Sequence, residues 1–94
     1  MIKKKKLLRY RKKIDTIDNA IFLLIKKRTK IVKYMLTLKQ NKKEIVDKKR
    51  MNLIFAKIKR KSIKNKIDPK ITNKIWKSII LSYIEYQKRN FKKK

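Results

Sequence analysis

The chain has no cysteine, no histidine and no glycine, one proline, and only six acidic residues among 94. Each absence excludes something. Without cysteine there are no disulfides. Without cysteine and histidine, the usual zinc sites and the Cys–His or Ser–His nucleophile systems are gone. An enzyme built from this sequence must work with Lys, Arg, Asp, Glu, Gln, Ser and Tyr, and neither a metal nor a cofactor is expected. With no glycine and a single proline there is little to make tight strand turns, so helices are expected instead. Long apolar runs are missing as well. The longest, residues 20–25, falls far short of the ~20 residues needed to cross a bilayer. Met1-Ile2-Lys3-Lys4-Lys5-Lys6-Leu7-Leu8 resembles the charged start of a signal peptide, but Arg9, Arg11, Lys12 and Lys13 interrupt any apolar core. A soluble, cytoplasmic protein with no membrane partner is expected.

What is present in excess is positive charge: 33 Lys and Arg against the six acids, a formal net charge of +27. Such a balance commonly marks a nucleic-acid partner, because basic surfaces release counterions from phosphate backbones. The composition argues for a second source. Lysine dominates the excess, and isoleucine and asparagine are also abundant, as an AT-biased genome produces in any protein. A nucleic-acid-binding helical dimer would carry its cations on one outer stripe, whereas lysine here is spread over every face. Nucleic acid is therefore not expected as the main partner, although the charge would attract small anions.

Apolar residues recur at helical spacing. Arg11, Ile14, Asp18, Ile21, Ile25, Arg28, Val32, Met35 and Lys39 follow one another in alternating steps of three and four, a heptad seam flanked by Leu7, Ile17, Leu24, Ile31 and Leu38. One unbroken helix is expected over 6–39. At 1.5 Å per residue it would be about 50 Å long, too long for a compact globule of this chain length. The protruding part needs a further apolar surface, and a second copy of the chain supplies it, which predicts an intertwined homodimer. A loop follows at 40–45. A second helix is expected over 46–64, with Val46, Arg50, Leu53, Ile54, Phe55 and Ile58 inward. Asp68-Pro69 is a helix start, the aspartate capping and the proline losing nothing at the first helical position. The third helix is expected over 69–90, with Ile71, Ile75, Ile79, Tyr83 and Gln87 inward, Trp76, Ile80 and Ile84 beside them, and a frayed tail at 91–94. The fold class is all-α, one domain of three helices.

Polar residues on these inward stripes are the informative ones. Arg11, Arg28 and Lys39 stand on the first seam, Arg50 in the second helix and Gln87 in the third. Buried cations are costly unless paired, and the acids are too few to pair them all, even with Asp18 on the same seam and Asp47 one turn before Arg50. A lysine at a seam edge ordinarily reaches out to solvent. Arginine is different: in a lysine-rich chain, its retention at inward positions suits planar recognition of carboxylates. A buried anion pocket is expected.

The same residues carry a resemblance. Leu8, Arg11, Ile14, Asp15, Ile17, Asp18, Ile21, Leu24, Ile25 and Arg28, then Lys39, then Asp47 and Arg50, then Ile67-Asp68-Pro69, then Ile79-Ile80 and Gln87, resemble the AroQ-type chorismate mutase family in order and spacing. The resemblance implies three helices per chain in an interlocked dimer, acting on the dianion chorismate to give prephenate. It implies that Arg11 of one chain and Arg28 of the other hold the two carboxylates, and that Arg50 adds a further carboxylate contact. Lys39 and Gln87 would donate to the ether oxygen, and the Asp47 region would hold the ring hydroxyl. Two positions depart from the mutase pattern. Met51 stands where a glutamate is usual, and Tyr83 where a small hydroxyl residue is common. Both departures resemble the isochorismate-pyruvate lyases of the same fold, so lyase activity is the first alternative. The alternatives of another class are a basic nucleic-acid-binding dimer and an inactive structural dimer. So short a chain also implies an enzyme without a regulatory domain.

Overall fold

The computed structural model describes residues 1–93 and is all-α: three helices with no strand among the described residues. The expected tail at 91–94 is described as far as Lys93, and Lys94 lies outside the described residues. Helix α1 spans Ile2–Leu38, α2 Lys48–Lys64 and α3 Pro69–Asn90, with a single 3-10 turn at Lys42–Glu44 inside the expected loop. The chain divides into two compact units, Met1–Val32 and Lys33–Lys94.

The first unit is helix throughout after Met1. The helix starts four residues earlier than expected because Lys3, Lys4, Lys5 and Lys6 are good helix formers and nothing interrupts them. Its residues are exposed except Arg28, Thr29 and Val32, which are half-buried. The exposed ones include Leu7, Ile14, Ile17, Ile21, Leu24, Ile25 and Ile31. An isolated amphipathic helix has no core of its own to bury such a stripe.

The second unit contains the end of α1, the connecting turn and the α2–α3 hairpin. Its buried apolar residues are Leu36, Ile45 and Ile80, joined by the buried polar residues Ser62 and Gln87. Lys39 closes α1, its amide donating to the carbonyl of Leu36 at 3.2 Å. Helix α2 begins at Lys48, two residues later than expected, because Asp47 is its cap: Asp47 Oδ1 accepts from the amide of Arg50 at 2.9 Å. The inward stripe of α2 is therefore Met51, Ile54, Phe55, Ile58 and Ser62, which share one side of the helix. This corrects the expected one. Val46 precedes the helix, and Arg50 and Leu53 fall off the stripe and are exposed.

The hairpin is pinned by side chains. The hydroxyls of Ser62 and Thr72 lie 2.6 Å apart across α2 and α3, and Ser62 also donates to the carbonyl of Ile58 at 2.7 Å. Ser62 is 2% exposed. A satisfied buried hydroxyl of this kind contributes about 1 kcal/mol net. Helix α2 ends in a left-handed turn. Lys66 has φ 57°, its amide donates to the carbonyl of Ile63, and the amide of Ile67 donates to that of Ser62 at 2.9 Å. These are the two bonds of a Schellman cap. Helix α3 opens on Asp68 and Pro69, with Asp68 Oδ1 accepting from the amide of Lys70 at 2.9 Å. Ile71 and Ile75 are exposed rather than inward, and the covered face of α3 runs through Thr72, Trp76, Ile79, Ile80, Tyr83, Ile84 and Gln87. Thr72 takes the first inward place because Ser62 of α2 bonds to it. Beyond Asn90 the chain leaves the helix, with Phe91 half-buried.

Candidate functional site

Among the described lysines and arginines, all are exposed except Arg28 and Lys39. That selection matters in a chain with so many cations, since drawing an ammonium or guanidinium away from water costs free energy that ordinary surface lysines avoid. Lys39 sits just past the end of α1, on the seam position where an apolar residue would be usual, and is half-buried.

Its partner comes from 48 residues further along. Lys39 Nζ donates to Gln87 Oε1 at 2.6 Å, and Gln87 Nε2 donates to the backbone carbonyl of Tyr83 at 3.1 Å. Gln87 is 7% exposed and Lys39 half-buried, so both bonds are partly shielded from bulk water. The two contacts also fix the amide. An ammonium only donates, so the glutamine must offer it oxygen, and the carbonyl of Tyr83 only accepts, so it must receive nitrogen. The donor count then shows what the pair can still do. Two of the three ammonium protons of Lys39 and one amide proton of Gln87 are not used in these bonds. The result is a cation and a neutral donor held side by side, a pair suited to an oxygen that gains negative charge.

The remaining expected residues are more scattered. Arg28 is half-buried on α1 within the first unit, and Arg11 on the same helix is exposed. Arg50 is exposed too, beside the inward stripe of α2, which corrects its expected inward place. Asp47 is exposed and spends Oδ1 on the Arg50 amide as a helix cap. The capping role was not foreseen, because Asp47 was expected inside the helix rather than at its start. Met51 and Tyr83 are half-buried.

Besides an open cavity of about 600 Å³ lined by Lys43, Glu44, Val46, Asp47 and Lys48, the second unit has two cavities against its helices. One, of about 420 Å³, is lined by Phe55, Ile58, Lys59, Pro69, Thr72 and neighbours between α2 and α3. The other, of about 490 Å³, is lined by Lys33, Leu36, Thr37, Tyr86, Asn90 and the lysines that follow, with Lys33 Nζ 6.0 Å from the centre of the Tyr86 ring. Neither includes Lys39 or Gln87. No described helix is long and apolar enough to cross a membrane.

The sequence profile of one family, chorismate mutase type II, matches residues 10–88. No curated protein and no solved structure gives a significant match to the chain. The matched span reaches from the residue before Arg11 to the residue after Gln87, and so takes in every candidate site residue.

Proposed function

Because the chain belongs to the chorismate mutase type II family, we propose that it rearranges chorismate to prephenate as a homodimer. The observation that carries this reading is the Lys39–Gln87 pair, in which Lys39 is half-buried while the other described lysines are exposed. The reaction is pericyclic and needs no nucleophile, metal or proton relay, which suits a protein without histidine or cysteine. As the C–O bond breaks, negative charge grows on the ether oxygen. Lys39 and Gln87 donate to it, while Arg11, Arg28 and Arg50 hold the carboxylates and compact the substrate. Asp47 lies at the ring hydroxyl and keeps its second carboxylate oxygen for it.

The dimer belongs to the same reading. Arg11 lies on a helix whose apolar stripe is open to solvent in the single chain, and the chain buries few apolar side chains of its own. A second copy laid along that stripe would cover the isoleucines and bring its own Arg11 to the pocket that holds Arg28 of the first. The isologous contact of a two-fold dimer builds two such pockets at once.

Met51 and Tyr83 support the lyase as a second reading, since both are half-buried and both depart from the mutase pattern. The deciding experiment follows chorismate conversion to prephenate and isochorismate conversion to pyruvate side by side on the purified protein. Conversion of chorismate establishes the mutase. Faster pyruvate release from isochorismate makes Met51 and Tyr83 the mark of a lyase. Absence of both rejects the enzyme and leaves a structural dimer.

A further inference from the structure

Lysine is spread over every face of the chain taken as a whole, and on α2 the basic residues cover the sides that packing leaves open. Its seventeen residues hold no acid and eight basic residues, three at its start and five from Lys57 onward. Its covered stripe, Met51 to Ser62, is taken up in packing, with Ser62 bonded to Thr72 of α3. At 3.6 residues per turn, Lys49, Lys57, Arg60 and Lys64 fall together on the opposite side, and all four are exposed. They extend over about 22 Å of helix.

This row has little internal compensation. The carboxylates at either end of α2, Asp47 and Asp68, each give an oxygen to a backbone amide. Within the row, like charges stand three and four residues apart, as at Lys57 with Arg60 and Arg60 with Lys64, where they repel. An external polyanion would relieve that repulsion and release its own counterions.

We propose that the outer face of α2 is a second binding surface, one that takes the phosphate backbone of a nucleic acid without reading its sequence. The chemistry favours this occupant over a lipid surface. A helix that lies in a membrane interface buries a broad apolar face there. The apolar stripe of α2 is engaged inside the protein, and Leu53 and Ile63 are the large apolar residues left exposed on it. Phosphate contacts from lysine and arginine fix affinity but carry no base specificity, as expected of a face with few amides or hydroxyls to read base edges. The surface uses none of the residues assigned to chorismate, so it stands or falls independently of the enzyme.

The test is fluorescence anisotropy of a short labelled mixed-sequence DNA duplex, titrated with the full chain over a series of salt concentrations. The variants are K49Q/K57Q/R60Q/K64Q and, with the same loss of charge on α3, K70Q/K74Q/K77Q/K88Q. Circular dichroism melting verifies that both fold, and the double variant K57Q/R60Q replaces the first if it does not. The slope of log affinity against log salt should fall by about 0.9 for each contacting cation removed, thus by about 3 to 4 for the α2 variant. The α3 variant should change it by less than one. Equal loss of slope in both variants would mean diffuse attraction and no surface on α2. Absence of duplex binding by the unaltered chain, or binding to anionic lipid vesicles in its place, overturns the proposal as well.

Discussion

Lys39 and Gln87 illustrate how two residues of opposite habit come to depend on one another. A half-buried ammonium needs an acceptor, and a buried amide needs both an acceptor and a donor. The 2.6 Å contact, with the carbonyl of Tyr83 behind it, meets those needs together. Removing the lysine should therefore affect two quantities. In Lys39→Ala the Gln87 oxygen loses its partner while remaining buried, which costs about 1–3 kcal/mol of folding stability. The proposed reaction loses a charged donor at its ether oxygen, which should lower turnover about 100- to 1,000-fold. Denaturant unfolding and steady-state kinetics on one preparation check both. Loss of stability with unaltered turnover would make the pair a structural bond and nothing more. Both residues were legible in the sequence because a polar side chain on an apolar stripe violates the pattern. Their direct contact was not, since no local rule relates positions 48 apart. Ser62 was missed for the opposite reason: in so polar a helix, one more small polar side chain gave no contrast.

At the level of the elements, the ends of the helices are decided by single residues. Asp68 and Pro69 announced the start of α3, and the structure has both in their capping roles. The start of α2 was read two residues early, because Asp47 was placed inside the expected helix, and its bond to the Arg50 amide makes it the cap. The end of α2 could not be read from a glycine, since there is none. The chain makes a Schellman turn with Lys66 at φ 57°, a region where a side chain crowds its own backbone. This left-handed position predicts the outcome of one substitution. Lys66→Gly should raise the unfolding free energy by about 1 kcal/mol, the side-chain clash outweighing the extra entropy that glycine brings to the unfolded chain. Thermal and urea unfolding would register it as a higher midpoint. An unchanged or lower midpoint would mean that the Lys66 side chain makes compensating contacts.

For the molecule as a whole, salt should act in opposite directions on stability and on function. A net charge of +27 on 94 residues stores self-repulsion in any compact state. Asp47, Asp68 and Glu44 each give an oxygen to a backbone amide, so these carboxylates do part of their work within the backbone and not against the lysines. Ion-pair-rich proteins lose support as salt rises. Here screening removes more repulsion than attraction, so the melting temperature should climb between 0.1 and 1 M NaCl, as the Debye length contracts from about 10 to about 3 Å. The same screening weakens the attraction of a dianion, so KM for chorismate should rise several-fold over that range, with kcat far less affected because the bound substrate is shielded from bulk ions. Two copies of the chain double the charge that must be brought together, so salt should also favour the proposed dimer. The salt-induced rise in melting temperature should then be steeper at high protein concentration, where association adds its own stabilisation. Melting curves over a grid of salt and protein concentration separate these contributions. A rise with salt alone reports relief of repulsion within the chain. A rise with protein concentration as well reports a folded state completed by its partner, as proposed for the exposed isoleucine stripe of α1. A melting temperature that falls with salt would show that paired charges, and not unpaired lysines, dominate the electrostatics of this fold.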